Sequence, residues 1–152
     1  MRKILSGILC TILMLSLVAC SGGNGSRTGE DNPEAELRTD IEGIEKLFPA
    51  LEGAVTEVDW EMKRLGTGDT FLPGKYAYQC QGYITLSDEA AEKYASSYEW
   101  TDVSPKVEFE AVTEREGNWK ASHDFEQEVF DGHITGHVWL DGNTILFTLI
   151  DE

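Results

Sequence analysis

Residues 4–19 decide how much of this chain is free to fold. Arg2 and Lys3 stand before a run of 16 mostly apolar residues, interrupted only by Ser6, Gly7, Thr11 and Ser16. As a helix rising about 1.5 Å per residue, the run would span roughly 24 Å, short of the roughly 30 Å hydrocarbon core of a bilayer. A short apolar run behind a basic start reads as a secretory signal and not as a spanning anchor. The folding unit must therefore be sought after it.

The run closes on Leu17-Val18-Ala19-Cys20. A small residue directly before a Cys at the end of such a segment resembles the lipobox of bacterial lipoproteins. The resemblance covers residues 1–20. It implies that the Cys20 thiol receives diacylglycerol, that cleavage falls after Ala19, and that the protein meets the membrane through this anchor. Acyl chains bury methylenes at about 0.8 kcal/mol each, so two or more chains hold stably. Of the three cysteines, Cys10 would leave with the signal and Cys20 would be lipidated. Cys80 alone would remain, so the exported part must be held by its core without an internal disulfide. Residues 21–33 contain four glycines, no apolar side chain and a closing Pro33. They read as a flexible spacer with a coil span of roughly 20 Å. The chain thus divides into a signal at 1–19, an anchored linker at 20–33 and a single domain at 34–152.

That domain carries nine Lys and Arg against 26 Asp and Glu, a net charge of −17. Nucleic-acid binding needs clustered cations on the phosphates, so this class is excluded. Anionic lipid headgroups would repel the domain, and the spacer would let it stand off.

Periodicity predicts an α+β domain: a four- to five-stranded, mainly antiparallel sheet with two to three helices packed on one face. Leu37, Ile41, Ile44 and Phe48 recur at helical spacing, predicting a helix over 34–48 that Pro49 ends. Residues 54–65 alternate, with Val58, Trp60 and Met62 on one face and Glu57, Asp59, Glu61 and Lys63 on the other. A second strand covers 76–86, with Tyr78, Cys80, Ile84 and Leu86 sharing a face. Ser87 then caps a helix to about Tyr98, with acids in its first turn. A short strand is expected at 107–111, a turn at 114–118, and a helix from Ser122 to Phe130. Strands at 133–140 and 144–150 flank Asp141-Gly142-Asn143, a hairpin signal. The last strand is apolar on both faces apart from Thr148 and should lie inside the sheet.

Candidate chemistry is sparse, and no motif calls for a cofactor. His133 and His137 have a His-x₃-His spacing that Asp131 could complete as a metal set. On a strand, however, the two rings stand roughly 13 Å apart. Cys80 could be a nucleophile with His123 as base, or a small buried core residue. The acidic pairs Glu108/Glu110 and Glu114/Glu116 are what so many acids give by chance, with a solvated face as the default.

The candidate ligand or partner surface is drawn from a loop and from tryptophans. Residues 66–74 are glycine-rich yet carry Asp69, Phe71 and Leu72, and apolar side chains in a loop need a pocket or a partner. Trp100, Trp119 and Trp139 sit near element ends or beside polar positions, where a ring either fills the core or joins an interface. The run Leu47-Phe48-Pro49, Trp60, Arg64-Leu65-Gly66, Pro73-Gly74 and Tyr76 resembles small exported bacterial proteins over about thirty residues and implies no activity. The expectation is a lipid-anchored cell-envelope protein, displayed outside the cytoplasm as a non-enzymatic binding module for a protein or small ligand. An accessory or inhibitor module beside an envelope enzyme is the alternative, with a small hydrolase behind it.

Overall fold

A computed structural model of the chain describes residues 34–65, 77–131 and 135–151. The signal, Cys20, the spacer, the loop residues Asp69, Phe71 and Leu72, and His133 lie outside the described residues.

The expected first helix is two elements. Strand β1 (Glu36–Arg38) precedes helix α1 (Ile41–Leu47). Asp40 separates them, because its carboxylate accepts from the Gly43 N–H at 3.1 Å and caps the helix there. Leu37 continues the helical spacing but sits on β1 at 54% exposure. Only Ile41, Ile44 and Phe48 of that stripe turn inward. Pro49 opens a 3₁₀ turn (Pro49–Leu51), a position where its missing N–H costs nothing.

Strands β2 (Val55–Leu65) and β3 (Ala77–Leu86) pair antiparallel, as their alternation predicts. Helix α2 (Asp88–Ser97) is capped by Ser87, and α3 (His123–Phe130) by Ser122. Two short strands, β4 (Thr101–Asp102) and β5 (Lys120–Ala121), lie between those helices in sequence. The closing hairpin is β6 (Thr135–Asp141) and β7 (Thr144–Asp151), and Gly142 takes a positive φ of 58° in its turn.

The sheet therefore has seven strands in the order β1-β2-β3-β7-β6-β5-β4, every described pairing antiparallel. This exceeds the four or five expected, and the extra strands are the two- and three-residue ones, too short to show a period. Strand β7 is internal, between β3 and β6. Gly82 on β3 lets two strands approach closely: a Cβ there would meet the Asp59 carbonyl oxygen at 2.3 Å and Trp60 Cα at 2.5 Å.

Both faces of the sheet are covered. On one, Val58, Trp60, Cys80, Ile84, Leu86, Val138, Ile145, Phe147 and Leu149 pack against Ile44, Phe48, Leu51, Tyr94, Phe125 and Val129 from the helices and the 3₁₀ turn. On the other, Tyr83 and Leu146 pack under the irregular segment 103–119, which contributes Val107, Phe109, Val112 and Trp119.

The strand expected at 107–111 does not form. Val107 and Phe109 do turn inward, but the backbone donors that follow go elsewhere. The N–H groups of Glu110, Ala111 and Val112 all converge on the Glu61 carboxylate, at 2.6 to 3.1 Å. Glu61 was expected on a solvated face. It is 2% exposed, and Gln81 Nε2 donates to it as well at 2.6 Å. Burial alone would raise its pKa. The bonds from Ala111, Val112, Gln81 and Glu110 outweigh that and hold the carboxyl below its ordinary value.

Candidate functional site

The helices do not cover the whole inner face of the sheet. At the end where β2 and β3 run toward residues 65 and 77, a cleft of about 460 Å³ opens between β1, α1 and the strands. The β registers place its floor. Arg38 pairs with Trp60 across β1 and β2, and Met62 with Cys80 across β2 and β3. Asp151 lies one row further, opposite Tyr78. Gly43, Lys46 and Leu47 of α1 form the wall.

The charged rim is paired within the chain. Arg38 Nε donates to Asp40 Oδ1 at 2.9 Å and Nη2 to Oδ2 at 3.3 Å. That pair raises the Arg38 pKa and lowers that of Asp40. The guanidinium also stacks over Trp60, 4.8 Å from the ring centroid. Lys46 Nζ lies 2.7 Å from Glu42 Oε1.

Trp60 is the unusual member. It is 2% exposed, lines the cleft, and its Nε1 hydrogen has no acceptor among the described residues. Its Cζ2, on the same indole edge as Nε1, lies 2.9 Å from where a Cβ on Gly43 would stand, so that edge faces α1. A buried donor without a partner costs about 1–3 kcal/mol and is rare in folded proteins.

A second hollow of about 420 Å³ lies on the other face, between Gln79, Gln81 and Thr148 and the segment 106–110. Its amides are internally committed. Gln79 Nε2 donates to Gln81 Oε1 at 3.1 Å, and Gln81 Nε2 to the Glu108 carbonyl at 2.6 Å. It reads as the seam under the covering segment.

The three tryptophans of the expected surface do not come together. Trp119 is a correction: at 8% exposure it belongs to the second core, stacked on Tyr83 with centroids 6.0 Å apart. Trp139 is half-buried against that same core, its ring 5.7 Å from His137. Trp100 packs on the opposite face, 5.2 Å from Phe125, and its Nε1–H donates to the Tyr94 carbonyl at 3.3 Å. It also lines a small hollow of about 280 Å³ with Leu140 and Asp141. His137 Nδ1 sits 3.2 Å from Glu126 Oε2. Among the described residues, no group of three or more His, Cys, Asp or Glu is placed to hold a metal ion.

Cys80 is 1% exposed on the cleft floor. Burial, with the charge of Asp151 behind it, pushes the thiol up to about 11. A nucleophilic Cys needs the opposite shift. In the folded protein at pH 8, Cys80 is therefore expected to resist maleimide for hours and to react fully in denaturant, as read by mass mapping. Rapid native labelling at Cys80 would contradict this placement.

Sequence reasoning placed Trp60 and Cys80 on the inner face but did not see the cleft. Its members come from β1, α1, β2, β3 and the last strand, residues 38 to 151. The local signal was Arg38-Thr39-Asp40, a cation two residues before a helix cap. Comparison with protein-family models, with curated proteins and with solved structures finds no match to the chain.

Proposed function

We propose that this protein is a lipid-anchored component of a bacterial cell envelope, held to the membrane through Cys20, and that its domain is a non-enzymatic binding module. The anchor reading rests on residues 2–20: the basic start, the apolar run and Ala19-Cys20. The binding reading is carried by one observation, the cleft of about 460 Å³ left open between β1, α1 and the strands. A cleft of this size suits a small molecule or a few residues of a partner. A hydrolase built on Cys80 has the direction of the thiol pKa against it. The acid pair at Glu110 has a structural use, since Lys63 bridges to it.

Two measurements test the two halves. Cys20→Ala is expected to abolish incorporation of labelled palmitate or glycerol and to leave the signal uncleaved on a gel. An unchanged, still lipidated product would remove the lipoprotein reading. Crosslinking in intact cells from a photoreactive residue at Leu47, on the cleft wall, is expected to trap a ligand or an envelope protein. A chain that crosslinks to nothing at Leu47, but does so from a control position on α2, would move binding away from the cleft.

A further inference from the structure

The charges of the cleft do not balance. Arg38 and Lys46 are each engaged by a carboxylate of the chain, Asp40 and Glu42. Asp151 is a third acid of the lining, and it has no ion-pair partner among the described residues. It stands close enough to the floor for its charge to act on the buried Cys80 thiol. Three acids thus face two cations, inside a domain of net charge −17 whose field draws cations inward and repels anions. A bare metal ion finds no shell: among the described residues no group of three or more His, Cys, Asp or Glu is placed to hold one. The lining offers apolar surface instead. Met62 on the floor and Leu47 on the wall are each only partly buried, so both are open to a ligand.

We infer that the cleft takes an aliphatic ammonium group, whose head pairs with the Asp151 carboxylate while its stem lies along Met62 and Leu47. The inference rests on the binding reading above and adds the ligand class. The strand registers give the span. Asp151 lies two strands across and one same-face row along from Met62, roughly 12 Å between Cα atoms by ordinary sheet spacing. The two side chains reach in from either end of that span, and a stem of about four carbons fills what is left. Asp151 is exposed, so the ammonium keeps part of its water while it pairs, and its desolvation cost stays small. A free amine and a lysine side chain of a partner share this chemistry.

The test uses the full chain labelled at methionine methyls. The chain has three methionines, Met1, Met14 and Met62, and Met62→Leu assigns the signal on the cleft floor. Three probes with one stem and different heads are titrated: butylammonium, butanol and butyrate. Butylammonium is expected to move the Met62 methyl saturably, with butanol weaker and butyrate weakest. Asp151→Asn should weaken butylammonium about fivefold and leave butanol unchanged. Asp102→Asn removes the same charge from β4, at the other edge of the sheet, and should change neither. N-acetyl-lysine N′-methylamide presents the same head from a peptide. Tighter binding than butylammonium assigns the head to a partner's lysine, and weaker binding assigns it to a free amine. Butanol or butyrate binding as well as butylammonium would overturn the ligand class while leaving a binding cleft. An equal loss in Asp102→Asn and Asp151→Asn would overturn the role of Asp151, since the field of the whole domain would then be acting. No response at Met62 to any probe would overturn the inference together with the cleft's part in the binding reading.

Discussion

Glu61→Ala is expected to free residues 103–119 from the sheet and to cost about 3 kcal/mol of stability. The wild-type carboxylate collects three consecutive backbone N–H groups and the Gln81 amide, all from positions that are far away or irregular. With alanine those donors lose their acceptor. They regain one only if the segment lifts into water, which uncovers Tyr83, Leu146 and Trp119. Either route costs a few kcal/mol, and the cheaper sets the observed value. Hydrogen exchange of the amides at 110–112 should quicken sharply, while those of β7 change only with global stability. Amides that stay protected in the variant would show that the carboxylate does not hold the segment.

The same group gives a pH dependence. Burial raises the Glu61 pKa, yet the donated hydrogen bonds lower it further, so the folded value lies below the unfolded one of about 4.3. The folded state then binds this proton less readily than the unfolded state. Its contribution is complete above the unfolded value and is lost as pH falls through the folded value. Stability should therefore decline below about pH 4, and Glu61→Gln, which cannot titrate, should flatten part of that decline. Asp40 and Glu42 are also held below their ordinary values by Arg38 and Lys46, so a residual acid slope remains in the variant.

Features resting on neighbours in sequence were legible, and those resting on distant partners were not. Ser87 and Ser122 announce α2 and α3 because a cap acts over three residues: their side chains accept from Ala90 and Phe125. The Gly142 turn and the alternation of β2 are local in the same sense. Leu37 misled because its helical spacing is genuine, while the cap at Asp40 leaves it outside the helix. Glu61 looked like any outward strand position. Its backbone partners lie about fifty residues on, and nothing near it in sequence hints at them. The missing strand at 107–111 is the other half of that misreading, since the donors a ladder would have used are spent on this carboxylate. The tryptophans show the limit for the site. Trp100 and Trp119 have similar settings in sequence, yet they pack on opposite faces of the sheet. Trp60, on the inner face of β2, has its N–H buried without an acceptor among the described residues, and no pattern in the chain marks it.

Phe48→Ala should be the more severe substitution, at about 4 kcal/mol, and it should remove the cleft as well. Phe48 is fully buried at the end of α1. Its ring lies 5.5 Å from Phe130 at the end of α3 and 5.1 Å, edge-on, from Phe147 in the middle of β7. Alanine deletes the ring where two helices and the internal strand meet, and such a void is filled only in part by relaxation. A helix of seven residues does not hold its shape without packing. Phe48, with Ile44, is thus what keeps Gly43 and Leu47 in place as the cleft wall. Phe48→Leu retains much of the volume and should cost about 1 kcal/mol. Denaturant unfolding gives both values, and the Met62 methyl chemical shift reports the cleft in parallel. The expectation is that Phe48→Leu keeps the native Met62 shift and Phe48→Ala loses it under conditions where the chain is still folded. If both variants kept the native shift, the wall would be held by β1 and the Arg38–Asp40 pair, and not by the core beneath α1.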